Sequence, residues 1–420
     1  MKKGQHNLIA GLDIGSHSVR LAVGQVGSGA NGATELQLLG AAEVASEGVN
    51  KGVVSSIEDV VSSVSACLER AERMIGTPID SVWVAISDPN VITQKNKGVI
   101  VVSKANNEIS EEDTERAIET ARTIAAPLNY EVLHVLPREF SVDGQTGIKD
   151  PIGMTGIRLE VDTHIILGST AQIKNLTKAI YRAGLEIDDL VLSILASSEA
   201  VLLPRQKELG VAVVNLGGST TSMAVFEEGD ILRIATIPIG SAHITNDIAI
   251  GLRTSVDIAD RVKLEFGDST SETTSKRDEI DLFTLGSQEH EIVKRRYVNE
   301  IIEARVEEIM QKIDAELTKA QRSGLLPAGV VFTGSGAKLP GLVEMAKRHL
   351  RLPASLGYPL DFTSVTEKVN DLGFSTAIGL VKWGGNMLSN THRGSNILGG
   401  IKKAQAVPGV LKRWFKALIP

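Results

Sequence analysis

LIAGLDIGSHSVRLAVGQV, residues 8–26, decides the fold. The apolar run 8–12 has the length of a buried strand, 13–18 is a polar, glycine-bearing tight turn, and 19–26 returns as a second strand. A third strand is expected at 36–44. Then 55–76 carries Ile57, Val60, Val61, Val64, Leu68, Ala71 and Ile75 at helical spacing, with Gly76 at the stop. The same plan returns in VAVVNLGGSTTSMAVF, residues 211–226, read as strand 211–216, turn 217–222 and return strand 223–226. A third strand at 231–237 and a helical stretch over 242–266 follow. Hairpin, strand and helix therefore occur twice, and two similar α/β halves facing each other are expected.

Glycine-bearing hairpin turns let backbone N–H groups converge on an anion without side chains intervening. One such turn is weak evidence. Asp13-Ile14-Gly15-Ser16 and Asn215-Leu216-Gly217-Gly218-Ser219-Thr220 are stronger as a pair, because each stands at the first hairpin of its half. A third element, 330–337, runs from a strand through Thr333-Gly334-Ser335-Gly336-Ala337 toward a helix at 340–350 and suits a flat base and its ribose. Asp13 supplies the carboxylate that Mg²⁺ takes through water. Asn215, at the matching place in the second half, carries neither charge nor a transferable proton.

Between the halves, 82–169 breaks the plan. It reads as strands at 82–86 and 98–102, a helix at 111–125 and strands near 130–135 and 158–167, the content of a small inserted α+β domain. The charged helical stretch 292–320 is either a solvated face or a partner surface. From 384 to 409 the chain is rich in Gly, Ser and Asn, which describes a flexible linker reaching roughly 25 to 30 Å.

Residues 410–420 form a different kind of element. At about 100° per residue, Val410, Leu411, Trp414, Phe415, Ala417, Leu418 and Ile419 fall within about 200° of arc, and Lys412, Arg413 and Lys416 fill the rest. A helix of about 15 Å is half the thickness of a bilayer core, so it lies in the interface. Pro408 and Gly409 mark its start. Trp414 suits the headgroup boundary and the three cations suit anionic lipid.

The 420 residues are enough for two to four domains, and 42% apolar with 23% charged residues is ordinary for a folded protein. A net charge of -7 argues against bulk binding of nucleic acid. Cys67 is the single cysteine, so no disulfide framework or Cys-based metal site is expected. The first apolar stretch is too short for a signal-peptide core, and no run of 18 apolar residues occurs; a cytoplasmic protein is expected.

Leu12-Asp13-Ile14-Gly15-Ser16, Asn215-Leu216-Gly217-Gly218-Ser219-Thr220-Thr221 and Thr333-Gly334-Ser335-Gly336-Ala337 resemble the two phosphate motifs and the adenosine motif of the actin, heat-shock ATPase and sugar-kinase superfamily. Gly48-Val49-Asn50-Lys51-Gly52-Val53-Val54, Leu133-His134-Val135-Leu136-Pro137-Arg138-Glu139-Phe140-Ser141-Val142-Asp143-Gly144-Gln145 and Asp150-Pro151-Ile152-Gly153-Met154 are similar to segments of the FtsA family, which tethers FtsZ filaments to the membrane during bacterial division.

The resemblance implies an α/β actin-like ATPase fold divided as follows. Subdomain 1A comprises 8–81 and 170–196, with a return at 366–383; an inserted 1C (SHS2-type) domain occupies 82–169. Subdomain 2A comprises 197–240 and 311–365, and 2B comprises 241–310. A linker at 384–409 and a membrane-targeting amphipathic helix at 410–420 complete the chain.

It implies ATP with Mg²⁺ on Asp13, Gly15, Ser16, His17, Ser18, Asn215, Gly217, Gly218, Ser219, Thr220, Gly334, Ser335, Gly336 and Ala337, with Lys263 beside the ribose and Asp13 as the metal residue. It also implies the FtsZ C-terminal peptide at Arg305 and an anionic lipid surface at Leu411, Lys412, Arg413, Trp414, Phe415, Lys416 and Leu418. Head-to-tail filaments, contacts with other division proteins and a peripheral place on the cytoplasmic face of the membrane at the division site follow from the same resemblance.

Family members often carry Thr and Lys where this chain has Ser16 and Ser18, Asp at Asn215 and Ser222, and Gly at Ser219 and Ser335. Hydrolysis is therefore expected to be slow or absent, and the question whether Arg20 replaces the ammonium lost at Ser18 stays open. Asp189 is the candidate for orienting water. The alternatives on the same fold are an adaptor of pilus assembly and an ATP-dependent small-molecule phosphotransferase.

Overall fold

The structure, a computed structural model, describes residues 8–28, 34–103, 106–123, 126–288, 290–364 and 367–394. The first half opens with an antiparallel meander of β1 (Leu8–Ile14), β2 (Ser18–Ser28) and β3 (Thr34–Ala45). A short hairpin, β4 (Val49–Asn50) and β5 (Val53–Val54), leads to α1 (Ile57–Ile75). Ser56 caps α1 by accepting the Asp59 N–H, and Gly76 ends it at φ 71°, a region glycine enters without the Cβ penalty. Then β6 (Ser81–Ile86) pairs in parallel with β1. Both are near-continuous apolar runs because helices cover the two faces of the sheet.

The inserted unit consists of β7 (Ile92–Val101), α2 (Glu111–Arg122), β8 (Tyr130–Val142), β9 (Gln145–Ile148) and β10 (Arg158–Ser169), with strand order β7-β10-β8-β9. One face packs on α2 around Ile109, Ala117, Phe140 and Leu159. Gly98 permits the approach, since a Cβ there would lie 1.9 Å from the Ala117 carbonyl oxygen. The unit was expected to begin at 82. That boundary is corrected, because β6 sits between β1 and a later strand of the main sheet and the insertion starts after it.

The chain returns through α3 (Thr170–Arg182) and β11 (Glu186–Leu192), which pairs in parallel with β6 and gives the sheet β11-β6-β1-β2-β3. Helices α4 (Ser193–Val201) and α5 (Pro204–Leu209) lead into β12 (Val211–Leu216), β13 (Thr221–Glu227) and β14 (Asp230–Ile237). Next come α6 (Ser241–Leu252), α7 (Val256–Phe266), the small hairpin β15 (Glu279–Asp281) and β16 (Ile292–Lys294), and α8 (Arg295–Lys319). The second half closes with β17 (Val330–Thr333), α9 (Leu342–Leu350) and β18 (Ala354–Leu356). Its sheet runs β14-β13-β12-β17-β18, two antiparallel pairings followed by two parallel ones, the same order and sense as β3-β2-β1-β6-β11. β19 (Thr363–Ser364) crosses back to pair with β3, and α10 (Ser375–Gly394) finishes the described chain.

Two further expectations are corrected. The stretch 242–266 is two helices, because Arg253 adopts φ 52° after α6 and Ser255 caps α7 by accepting the Ile258 N–H. The linker expected from 384 does not start there, since α10 continues to Gly394, and the rest of that stretch lies outside the described residues. The glycines of α10 are packing positions: a Cβ on Gly384 would lie 2.7 Å from Ile9 Cγ2 and from Trp83 Nε1, and one on Gly379 would lie 1.8 Å from the Ala196 carbonyl oxygen. Composition alone does not separate a glycine that frees the chain from one that lets a helix touch a sheet.

The inserted unit is joined to both halves. Asp88 binds its two chain crossings to the first half by accepting the N–H groups of Asn90 and Ser169, each at 2.8 Å. His134 on β8, buried and with its pKa lowered to about 3 by burial, accepts the Leu192 N–H of β11 at 2.9 Å. On the other side, Lys149 donates to Asp230 Oδ1 at 2.9 Å and to the Glu228 carbonyl at 3.1 Å, and Arg138 lies 3.5 Å from Asp230 Oδ2. Asp230 stands at the start of β14 in the second half.

Candidate functional site

The two meanders deliver equivalent turns to one cleft of about 630 Å³ between the halves. The Gly15 N–H donates to the Ser18 carbonyl at 3.1 Å and the Gly217 N–H to the Thr220 carbonyl at 2.9 Å, so one bond closes each turn in the same way. The turns face each other closely: a Cβ on Gly218 would lie 3.2 Å from His17 Cβ. The N-terminus of α6 takes the carbonyls of the second turn, with Ser241 N–H on Gly217 and Ala242 N–H on Gly218.

Strand register sets the chemistry of each wall. Asp13, Arg20 and Glu43 are cross-strand partners on β1, β2 and β3, a row of negative, positive and negative charge. Arg20 donates to Glu43 Oε1 at 2.7 Å and reaches across the cleft to Ser335 Oγ at 2.8 Å, with its guanidinium over the Phe374 ring. Burial raises the Asp13 carboxyl to about 6, against the pull of Arg20. The equivalent row of the second half, Asn215, Ser222 and Thr236, is neutral. Asn215 Nδ2 donates to Ser197 Oγ at 3.0 Å and Thr376 Oγ1 at 3.1 Å, which pins β12 to α4 and α10.

Of the expected nucleotide residues, Asp13, Gly15, Ser16, His17, Ser18, Asn215, Gly217, Gly218, Ser219, Thr220, Lys263, Gly334, Ser335 and Gly336 all line this cleft. Ala337 is corrected: it is buried in the core of the second half, on the short 3₁₀ turn Ser335–Lys338. Asp189 is corrected as well. It lies on β11, an edge strand, where Oδ1 accepts the Leu190 N–H, and it is absent from the cleft wall that Ser193 reaches. Lys263 is on the wall with its ammonium held by Thr245 Oγ1 and Asp260 Oδ1, each at 2.6 Å. Arg20, Glu43, Ser87 and Thr376 line the cleft too. The alternation of β2 put Arg20 on the face of Ser18, and that signal identifies it from the sequence.

The cleft fits a phosphorylated, metal-carrying ligand. Ser18 Oγ and Arg20 Nε are buried without hydrogen-bond partners, a donor supply facing no protein acceptor. The lining carboxylates Asp13, Glu43, Asp257 and Asp260 outweigh Arg20, Lys263 and Lys338, so a polyphosphate enters best with its charge offset by a cation. No cluster of three or more acidic, His or Cys ligands exists among the described residues, and Asp13 is the carboxylate that β1 brings to the first turn on this wall.

Arg305 lies away from the cleft on α8, with its fork on Asp247 of α6 and a further bond to Glu308. Leu411, Lys412, Arg413, Trp414, Phe415, Lys416 and Leu418 lie outside the described residues. Among the described residues no helix is long and apolar enough to cross a membrane.

Residues 212–379 match the family described as Cell division protein FtsA, and 90–167 match the SHS2 domain inserted in FTSA. Cell division protein FtsA of Pseudomonas aeruginosa is 34% identical over 411 residues, covering 97% of each chain. That of Escherichia coli K12 is 31% identical over 425 residues, covering 100% of this chain and 98% of the relative. Among solved structures, a chain of the PilM-PilN type IV pilus biogenesis complex matches with TM-score 0.63 at 16% identity, over 90% of this chain and 98% of that one. MreB 5 of Spiroplasma citri bound to AMPPNP matches with TM-score 0.56 at 11% identity, over 93% and 100%. These structural likenesses show the actin-like fold.

Proposed function

The chain belongs to the FtsA family of actin-like cell division proteins, and from that premise we propose that it is an ATP-binding, filament-forming adaptor that tethers FtsZ filaments to the cytoplasmic face of the membrane at the division site. The observation that carries the proposal is likeness to FtsA relatives over nearly the whole length of both chains. Support for ATP with Mg²⁺ comes from the convergence of both phosphate turns and the 334–336 turn on one cleft. Asp13 is the metal residue, and Lys263 stands beside the ribose. The neutral row at Asn215 supplies no base for water, so hydrolysis is slow or absent.

The acidic, apolar C-terminal peptide of FtsZ docks on the paired helices α6 and α8. Arg305 offers the planar fork that binds a carboxylate through two bonds, and Ile250 and Tyr297 add exposed apolar surface on the same helices. Since Asp247 already occupies that fork, the peptide carboxylate must displace it. The 410–420 helix holds the complex on anionic lipid.

Flotation with anionic vesicles tests the whole reading: the full chain should carry FtsZ upward with the lipid, and deletion of 405–420 should leave both at the bottom. Arg305→Ala should retain flotation of the chain and lose FtsZ, whereas Asp247→Asn should bind the peptide at least as well as wild type. FtsZ recovery unaffected by Arg305→Ala would remove this arginine from the proposal.

A further inference from the structure

The hairpin β4–β5 is built with more constraint than a connection needs. Its tip, Lys51-Gly52, places both residues at positive φ, 50° and 79°. Such turns favour Asn, Asp and Gly, and a lysine with φ above zero is uncommon. Its base is fixed as well, because the N–H groups of Ser55 and Ser56 both donate to the Gly48 carbonyl, at 2.8 and 3.2 Å.

The tip meets both walls of the cleft. The Gly52 N–H donates to Ser16 Oγ in the first turn at 3.0 Å. A Cβ on Gly52 would lie 3.3 Å from the Ser87 carbonyl oxygen and 3.8 Å from Thr220 Cγ2 in the second turn. One backbone position therefore bonds the first turn and lies near the second. Ser16, assigned to phosphate by sequence, also serves as the anchor of this hairpin.

Lys51 is exposed and makes no hydrogen bond or ion pair among the described residues. The cations on the cleft wall are all engaged: Arg20 with Glu43, Lys263 with Asp260, and Lys338 with Asp371 at 2.7 Å. Position 18, on the first turn, carries a hydroxyl. Lys51 directly precedes Gly52, the residue bonded to the first turn and near the second, and an unpaired ammonium on a flexible stem at that place is a suitable partner for a mobile phosphate oxygen.

We infer that Lys51 is the contact for the terminal phosphate of a nucleoside triphosphate, and that the 48–54 hairpin is the clamp by which the cleft distinguishes triphosphate from diphosphate. The inference rests on the nucleotide reading above and adds the residue that reads phosphate number.

The test compares Mg²⁺-ATP and Mg²⁺-ADP binding to the full chain by titration calorimetry for wild type, Lys51→Met, Lys51→Gly and Lys51→Arg. Lys51→Gly suits the turn and removes the charge without straining the backbone. Loss of the ammonium should weaken ATP by about tenfold, the effect of removing one hydrogen bond to a charged group, and leave ADP within about twofold. Lys51→Arg should hold both affinities near wild type. Unchanged ATP binding in Lys51→Gly, or an equal loss for ATP and ADP, would overturn the inference while the nucleotide site stands. Wild type that binds neither nucleotide would overturn the nucleotide reading itself.

Discussion

Asp13 shows what one residue contributes when its neighbours set its charge. Its carboxyl is raised to about 6 by burial, with Arg20 opposing. On the proposed reading Mg²⁺-nucleotide binding requires the ionised form, so affinity should rise with pH and level off above about 6, with a limiting loss of about tenfold per unit below it. Asp13→Asn should bind more weakly at about pH 8 and show no such slope, as measured by calorimetry across the range. In the empty protein the sign reverses. A raised carboxyl favours the fold below its ordinary value of 3.8, and that contribution is lost as pH rises through about 6. Asp13→Asn without ligand should therefore melt above wild type at about pH 8 and converge with it near pH 4. The placement of Asp13 was legible in the sequence, because an acid beside a glycine turn has few other uses. Its raised pKa was not, since that depends on what the rest of the fold lays over it. Asp189 failed for the reverse reason: a position close in sequence to α4 lies on the sheet edge once β11 pairs with β6.

At the scale of elements, hairpins and buried strands were legible because an apolar run between turn residues has few alternatives. Helix ends and the meaning of glycines were not. Gly384 and Gly385, read as linker, belong to α10, and their roles differ. A Cβ on Gly384 meets Ile9 and Trp83 at 2.7 Å, whereas one on Gly385 meets the ends of the Leu36 and Ile9 side chains at 3.2 and 3.7 Å. In a true linker both Gly→Ala changes would be neutral. In this packed helix Gly384→Ala should destabilise by about 1 to 3 kcal/mol in urea unfolding, the range for overpacking, and Gly385→Ala should stay near or above wild type because alanine favours the helix. The break of 242–266 into α6 and α7 was hidden by an apolar pattern that continues across Arg253, a residue that carries no turn signature of its own.

For the whole molecule, duplication was legible from two hairpins with the same ending, and the matching strand orders follow from it. The boundary of the insertion was not, because β6 reads equally well as the last strand of one unit or the first of the next. The proposed function makes attachment to lipid a property of the assembly. On the reading proposed above, the seven apolar side chains of 410–420 give one tail weak, reversible binding, and many tails on one filament multiply it by effective concentration. Trp414→Glu should abolish vesicle binding in flotation. A variant unable to polymerise, with its tail intact, should bind weakly and lose most of that binding at high salt; binding as tight as that of the filament would show that one tail suffices.

The ion pairs of Asp230 with Lys149 and Arg138 add a mechanical condition. Without them the inserted unit would be held by the first half alone, through Asp88 and His134. With them, the inserted unit is tied to both halves and the three bodies are joined pairwise. Any widening between the halves therefore either moves the inserted unit or parts Lys149 and Arg138 from Asp230.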